Sequence, residues 1–387
     1  MPNYKIVILF LTSLMLIVAT NFTPSATQLL ASASQYNFSN CKSSILIDMV
    51  NGNILYEHNK DERMPIASVT KLMTILLTLE NIENNNISLD DFVLVSDTAE
   101  GMGGSQIFLD ANAKYKLGDI LKSVIIASAN DSSVALAEHI AGSERNFVEL
   151  MNKKANELNL QNTFYSNCTG LPTADAYSSA YDQAIILKSV LQYEIYRSYA
   201  SIWMEDFIHP SGRTTTMTNT NKLSRFYSGC IGGKTGSTNQ AKYCLAVGAK
   251  RNNVNLISVV LGAENSKERF NISSSLLNYG FENFQNKVLF SNDSLKDMTI
   301  KIKGQNRFTH LKCEKEFSVT QKNNENTNYS INYNLPNQLL SVKENQIVGN
   351  VEIIINGIVV ETINILATET HNEATIIDYF KEIIQNN

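Results

Sequence analysis

The chain has 387 residues, of which 43% are hydrophobic, and a formal net charge of -5. This length and apolar content are ample for one large core and favour two domains. No basic block runs through the sequence, so nucleic acid is not an expected partner. The five cysteines are odd in number and scattered, which does not fit a disulfide scaffold and leaves open only a Cys168–Cys230 bridge.

Residues 1–33 predict a secretory signal peptide. Lys5 precedes an apolar run from Ile6 to Ala19 that is short for a transmembrane helix. Ala31-Ser32-Ala33 fits the small-residue pattern of a cleavage site, and an uncleaved anchor is the alternative. We therefore expect an exported, extracytoplasmic protein.

The segment after the signal predicts a β-hairpin and then a buried helix. Ser43 to Asp48 and Asn53 to Glu57 have the character of strands, and Asn51-Gly52 between them is a strong hairpin turn. Residues 72–79 are nearly all apolar, which indicates a helix that runs through a core.

Ser68 and Lys71 stand at the start of that helix. Residues three apart share a helix face, so the Lys71 amine can reach the Ser68 hydroxyl. A serine is a poor nucleophile until a base takes its proton, and a lysine can be that base only if burial or a neighbouring cation keeps it neutral. Ser39 to Lys42 has the same spacing in a polar stretch, and we interpret it as a chance match.

A polar break between two apolar helices supplies the next candidates. Residues 117–127 carry apolar side chains at helical spacing, and Asp131 fits the N-cap of a second helix that Gly142 ends. Ser128 and Asn130 lie in the break, where both can face a cavity. For an isolated Ser-x-Asn, a helix cap without function is the alternative.

Further along, Glu157 closes an amphipathic helix and is expected at the surface. Residues 229–236 are rich in glycine and lead into two runs, 243–249 and 254–262, that predict an antiparallel pair of strands. Glycines there let a substrate backbone approach closely. Lys234 and Thr235 offer one charge and one hydroxyl, which suit a carboxylate. In isolation, Lys-Thr-Gly is more often a surface turn.

The C-terminal third has a different sequence pattern. Short β-rich runs and polar turns over residues 286–370 predict a small β domain that serves as a spacer or docking surface. Residues 371–387 predict an amphipathic helix, which either lies on a membrane surface or packs on the β domain or a partner. Its apolar face comprises Ile376, Ile377, Tyr379, Phe380, Ile383 and Ile384.

Together the three motifs resemble those of the low-molecular-mass penicillin-binding proteins that are serine-type D-alanyl-D-alanine carboxypeptidases of the peptidase S11 type. The resemblance is close over residues 36–285 and includes 67–74, 104–109, 243–245 and 276–281. It implies a mixed α/β fold, in which a serine β-lactamase/transpeptidase-like domain, with an antiparallel sheet packed between helices, precedes a small all-β domain.

The resemblance also implies catalytic roles. Ser68 is expected to be the acylated nucleophile, Lys71 its base, and Ser128 the group that passes a proton to the leaving D-alanine. Lys234 close to Lys71 should disfavour a second ammonium group and lower the pKa of Lys71. The amides of Ser68 and Ser237 are expected to form the oxyanion hole.

The remaining implied residues bind substrate. Asn130 is expected to hold the substrate backbone, and Lys234 with Thr235 the terminal carboxylate. The full substrate-binding set is Asn130, Lys234, Thr235, Gly236, Ser237 and Arg269.

Two positions depart from the family pattern. Ser237 stands where many relatives carry an aromatic residue or a histidine, and Thr220 where some carry an arginine. Lys222 and Arg225 are the candidates to replace that arginine.

Three functions fit this sequence. A carboxypeptidase would act in the cell wall or at the outer face of the cell membrane. It would trim the terminal D-alanine from the peptidoglycan stem peptide and be inhibited by β-lactam antibiotics. A serine β-lactamase is the alternative, disfavoured because no convincing glutamate follows Ser128 and because of the extra β domain. Intact Ser68, Lys71, Ser128 and Lys234 argue against a silent wall-binding protein. No cofactor or metal is expected, since no cluster of ligating residues has suitable spacing.

Overall fold

The computed structural model describes Phe38 and residues 40–385. The predicted signal peptide of residues 1–33 lies outside the described residues. The chain forms an N-terminal α/β part, which ends at Asn283, and a C-terminal β part that follows without a linker. The predicted boundary between residues 285 and 286 falls inside the first strand of the second part.

The N-terminal part contains β1 (Ser43–Asp48), β2 (Ile54–His58), α1 (Lys71–Glu83), β3 (Phe92–Leu94), α2 (Asp97–Glu100), β4 (Lys114–Lys116), α3 (Leu117–Ile126), α4 (Asn130–Ala141), α5 (Glu144–Glu157), α6 (Ala180–Val190), α7 (Glu194–Ser201), β5 (Met204–Ile208), β6 (Thr214–Thr218), α8 (Leu223–Phe226), β7 (Cys230–Thr238), β8 (Lys242–Arg251), β9 (Val254–Ala263) and α9 (Ser266–Asn283). The C-terminal part contains β10 (Phe284–Phe290), β11 (Thr299–Ile302), β12 (Phe308–Cys313), β13 (Phe317–Lys322), β14 (Tyr329–Asn334), β15 (Gln338–Leu339), β16 (Ile347–Ile355), β17 (Ile358–Ala367) and α10 (Ile376–Gln385).

A five-stranded antiparallel sheet with the order β2-β1-β9-β8-β7 organises the N-terminal part. Nearly every residue of β1 and β9 is buried, because α6 covers one face and α9 the other. The predicted hairpin is confirmed, with Gly52 at φ +77 in its turn. Strand β7 is an edge strand of this sheet, and the turn that carries Ser68 packs against it at Gly236.

Helix α1 runs through the larger core, as its apolar run predicts. All nine residues from Lys71 to Leu79 are buried, so helix α1 is enclosed on every side over these turns. A single 3₁₀ turn, Ala67–Thr70, precedes it and carries Ser68. The serine therefore sits where the chain passes from a loop into the most buried helix of the fold.

The break between α3 and α4 has the predicted place but not the predicted cap. Gly142 ends α4 at φ +76, as expected. Asp131, in contrast, lies inside the first turn of α4, and its carboxylate accepts hydrogen bonds from the N–H groups of Ile107 (3.2 Å) and Leu109 (3.1 Å). It therefore fixes the glycine-rich loop before β4, and it also accepts from the Ser132 N–H of its own helix at 2.8 Å, but the N-cap position belongs to Ala129.

The C-terminal part has its own hydrophobic core. A six-stranded sheet with the order β14-β16-β17-β12-β11-β15 packs with the β10–β13 pair, which fits the predicted β domain. Helix α10 begins at Ile376, later than the predicted residue 371, because residue 371 still pairs with Val342 and Thr375 bonds the Asp378 carboxylate in the first turn. Residues 386 and 387 lie outside the described residues. Among the described residues, no helix is both long and apolar enough to cross a bilayer.

All five cysteines are free, so the bridge between Cys168 and Cys230 does not form. The Cys168 thiol lies 3.1 Å from Glu144 Oε1, and the Cys230 sulfur lies 3.8 Å from Asn221 Nδ2. Each thiol is thus held by a polar neighbour of its own segment of the fold.

We expect Asp131→Ala to destabilise the fold strongly. It would leave buried N–H groups of the loop without an acceptor, which costs about 2 to 4 kcal/mol in the free energy of unfolding, measured by denaturant titration. Asp97→Ala is the matched control, because Asp97 is exposed in the first turn of α2 and should contribute only a few tenths of this. Equal effects of the two substitutions would contradict the role of Asp131 as the acceptor for the N–H groups of the loop.

Candidate active site

Two glycines, Gly170 and Gly236, pack closely against the backbone around Ser68. Ala67 has φ +49, an unusual value for a residue with a side chain, and Ser68 itself is half-buried. A Cβ atom on Gly170 would collide with the Ala67 carbonyl oxygen. A Cβ atom on Gly236 would lie 2.5 Å from the Ile66 carbonyl oxygen and 3.0 Å from the Ser68 nitrogen. Only glycine at both positions allows this approach.

The Lys71 amine is fully buried and has three partners. Its Nζ atom lies 3.1 Å from Ser68 Oγ, and 2.6 Å from both Asn130 Oδ1 and the Thr169 carbonyl oxygen. Burial lowers the pKa of Lys71 to about 7, against the smaller and opposite influence of Cys168 and Asp131. The predicted lowering of the Lys71 pKa is therefore correct, but its main cause is desolvation and not the charge of Lys234.

Lys234 occupies the other side of the same site. Its amine donates to Ser128 Oγ at 2.7 Å and to the Thr235 carbonyl oxygen at 3.1 Å. Burial, followed by the charges of Lys71 and Arg269, lowers the pKa of Lys234 well below its usual range. Since repulsion between two ammonium groups is mutual, the site disfavours the state in which both lysines carry a charge.

The break between α3 and α4 places Ser128 and Asn130 in this site. Ser128 is buried, and its φ of +62 is a strained backbone value for a residue with a side chain. Asn130 Nδ2 donates to the Gly103 carbonyl oxygen at 2.6 Å, and its backbone N–H donates to the Ser105 carbonyl oxygen at 2.7 Å. The glycine-rich loop therefore clamps Asn130 from two directions, and Gly104 leaves room for its amide group.

Strand β7 carries the rest of the predicted set. Lys234, Thr235 and Gly236 are buried, whereas Ser237 is exposed at the end of the strand. Arg269 on α9 lies behind the strand, where its Nη1 atom donates to the Gly236 carbonyl oxygen at 3.0 Å. Its contact with the site is thus through the backbone of β7.

One partner of the Lys71 amine, the carbonyl oxygen of Thr169, was not predicted from the sequence. A backbone acceptor has no residue type by which to recognise it. Glu157 is exposed and paired with Lys154 at 2.7 Å, as a surface residue should be. Among the described residues, no group of three His, Cys, Asp or Glu side chains could hold a metal ion.

The two positions that depart from the family pattern also have defined surroundings. The backbone N–H of Thr220 donates to the Ile126 carbonyl oxygen, at the end of α3. The Arg225 guanidinium stacks on the rings of Trp203 and Phe226, and Lys222 is exposed. That one of these two cations replaces the arginine of the relatives stays a prediction.

Two family models match the chain. The model of D-alanyl-D-alanine carboxypeptidase, peptidase S11, matches residues 30–265, and that of the penicillin-binding protein 5 C-terminal domain matches residues 284–373. Among curated proteins, the chain is 41% identical over 288 residues to D-alanyl-D-alanine carboxypeptidase DacF of Bacillus subtilis, which covers 74% of each chain. It is 32% identical over 338 residues to DacC of Escherichia coli, covering 85% of this chain and 84% of that protein.

Solved structures show the same likeness. Penicillin-binding protein 5 from Haemophilus influenzae matches with a TM-score of 0.67 and 30% identity, over 86% of this chain and 98% of that chain. The S96A mutant of the Streptomyces K15 DD-transpeptidase matches with a TM-score of 0.59 and 27% identity, over 63% and 98%. These matches confirm the predicted fold class. The chain belongs to the peptidase S11 family and is a serine-type D-alanyl-D-alanine carboxypeptidase.

Proposed function

We propose that this enzyme removes the terminal D-alanine from the peptidoglycan pentapeptide through an acyl-enzyme on Ser68, and that β-lactams acylate the same serine. The observation that carries the proposal is the fully buried Lys71 amine 3.1 Å from Ser68 Oγ. The family to which the chain belongs supports the substrate and the inhibitor class.

Lys71 is proposed as the base. A neutral amine has two N–H groups and one lone pair. Asn130 Oδ1 and the Thr169 carbonyl oxygen accept the two N–H groups, so the lone pair is left for the Ser68 hydroxyl. The amine takes the hydroxyl proton while Ser68 Oγ bonds to the carbonyl carbon of the penultimate D-alanine.

The oxyanion that forms is proposed to lie between the backbone N–H groups of Ser68 and Ser237. The close approach of Gly236 to the Ser68 nitrogen, which brings β7 next to Ser68, supports this pairing of donors. Each such donor commonly contributes about 3 kcal/mol to the stability of the transition state.

Ser128 is proposed to deliver a proton to the nitrogen of the departing D-alanine, with Lys71 restoring it. Lys234 and Thr235 bind the terminal carboxylate, and Asn130 holds the substrate backbone. A bound carboxylate favours the ammonium form of Lys234, which in turn favours neutral Lys71. Arg269 adds positive charge behind the strand and holds the Gly236 carbonyl. Water then hydrolyses the acyl-enzyme.

The surrounding carboxylates support this function over a β-lactamase. Asp131 accepts backbone N–H groups, Glu144 accepts from Cys168, and Glu157 pairs with Lys154 at the surface. Each of these three groups is engaged elsewhere, which disfavours rapid activation of water against a penicillin adduct. We therefore expect a long-lived penicillin adduct.

We further propose that the enzyme works outside the cytoplasm and that α10 lies on the membrane surface. Five large apolar residues of this helix are more than half exposed, while Tyr379 packs against Gly304 of the β part. A helix with one exposed apolar face suits the boundary between headgroups and acyl chains. The five residues are Ile376, Ile377, Phe380, Ile383 and Ile384.

We expect Ser68→Ala to abolish both D-alanine release and the penicillin adduct, because it removes the only atom proposed to be acylated. Intact mass after incubation with penicillin measures the adduct, and released D-alanine measures turnover of a diacetylated tripeptide. Ser39→Ala, at the other serine with the same spacing, is the control and should retain both. A penicillin adduct on Ser68→Ala would refute the assignment.

We expect the acylation rate of the wild-type enzyme to rise with pH through about 7, the pKa to which burial lowers Lys71. Below this pH the amine is protonated and has no lone pair for the serine proton, and above it the base is present. The second-order rate of penicillin acylation, measured across the pH range, reports this directly. Lys71→Arg, which stays charged, should acylate at least about 100-fold more slowly; a flat profile in the wild type would exclude the lysine as base.

We expect the double substitution Phe380→Asp and Ile384→Asp to release the enzyme from lipid vesicles, because it places two charges on the apolar face of α10. Co-sedimentation with vesicles measures binding, and hydrolysis of a soluble tripeptide should be unchanged. Lys381→Gln, on the same helix, is the control for altered charge. Unchanged sedimentation of the double variant would rule out this face as the contact.

A further inference from the structure

The connection between α5 and α6 contains a turn that depends on one side chain. The Oδ1 atom of Asn167 accepts hydrogen bonds from the Thr169 N–H (3.1 Å), the Thr169 hydroxyl (3.1 Å) and the Gly170 N–H (2.6 Å). Its Nδ2 atom donates to the Leu171 carbonyl oxygen at 2.9 Å. Both polar atoms of this amide are therefore used to hold the turn in one shape.

The same turn is docked on the first two turns of α1. The Thr169 carbonyl oxygen accepts from Lys71 Nζ at 2.6 Å, and the Cys168 carbonyl oxygen accepts from Thr74 Oγ1 at 2.7 Å. On its other side, Gly170 packs against the Ala67 carbonyl, at φ +79. The shape of the turn thus decides where the Thr169 carbonyl points.

We infer that Asn167 is a positioning residue for proton transfer at Ser68. It holds the Thr169 carbonyl that, together with Asn130, takes the two N–H groups of neutral Lys71 and so aims the lone pair at the serine hydroxyl. The inference rests on the proposed role of Lys71 as the base.

Displacement of this carbonyl would leave the amine free to rotate about its carbon–nitrogen bond, between Cε and Nζ. Asn130 alone fixes one N–H group, so the lone pair would no longer face Ser68 in most orientations. Misplacement of a reacting group by about 1 Å commonly slows a reaction about 100-fold. The geometry of the turn is therefore expected to matter for rate even though Asn167 touches neither lysine nor serine.

The charge state of Lys71 provides a second readout. Groups that act on its amine come from three elements: Asp131 on α4, Cys168 in the turn and Lys234 on β7. Asn167→Ala adds no charge to this set but loosens a fixed acceptor that stabilises the ammonium form, so the rise of activity should move to lower pH. Asn167→Asp keeps the accepting oxygen and adds a negative charge, so the rise should move to higher pH.

The test is the rate of penicillin acylation of the full chain as a function of pH, with active sites counted by intact mass. For Asn167→Ala, we expect the plateau of the acylation rate to fall about 10- to 100-fold, and the rise of the rate to occur at lower pH. For Asn167→Asp, we expect the plateau to be largely retained and the rise to occur at higher pH. Asn162→Ala is the matched control, because Asn162 lies in the same connection and accepts from Arg63 Nε at 3.1 Å. It should match the wild type.

The outcomes separate this inference from the proposed function. A wild-type plateau and pH profile in Asn167→Ala overturns the positioning role. So does a loss of rate that matches the loss of active sites with an unshifted profile, since that indicates misfolding alone. Acylation of Ser68→Ala in the same series would instead overturn the proposed function.

Discussion

The structure depends on shielding the amine of Lys71 from water. An ammonium group loses most of its hydration when it is enclosed, so Lys71 at the start of a buried helix is driven towards the neutral form. A neutral amine still needs acceptors for its two N–H groups, and these come from segments far apart in the chain, at Asn130 and Thr169. Burial lowers the pKa of the amine, and the surrounding fold fixes the positions of its two acceptors.

This requirement explains why so much of the chain is tied to the site. Asn130 is held by the glycine-rich loop, which the Asp131 carboxylate holds in turn. The second acceptor belongs to a turn that packs on α1. Strand β7 forms the edge of the sheet and packs against the turn that carries Ser68. Segments from distant parts of the chain thus meet around Lys71 and Ser68.

Much of this could be predicted from the sequence, because the chemistry is carried by residue types at fixed spacing. The apolar run after Ser68 identified α1, and the turn at Asn51-Gly52 identified the first hairpin. Asp131 was misassigned because aspartate is favoured both as a helix cap and as an acceptor for loop amides, and sequence alone does not separate the two. The Thr169 carbonyl was missed because every residue has one. The main cause of the lowered pKa of Lys71 required knowledge of its burial.

The glycines that flank Ser68 have a consequence for how the enzyme can evolve. Gly170 and Gly236 leave no volume between themselves and the backbone of residues 66–68, so any side chain there would displace the backbone that carries Ser68. Substitution at either position therefore requires a change in the backbone that carries Ser68. The side chain of Ser237 is exposed, so this neighbouring position can vary in size without displacing that backbone.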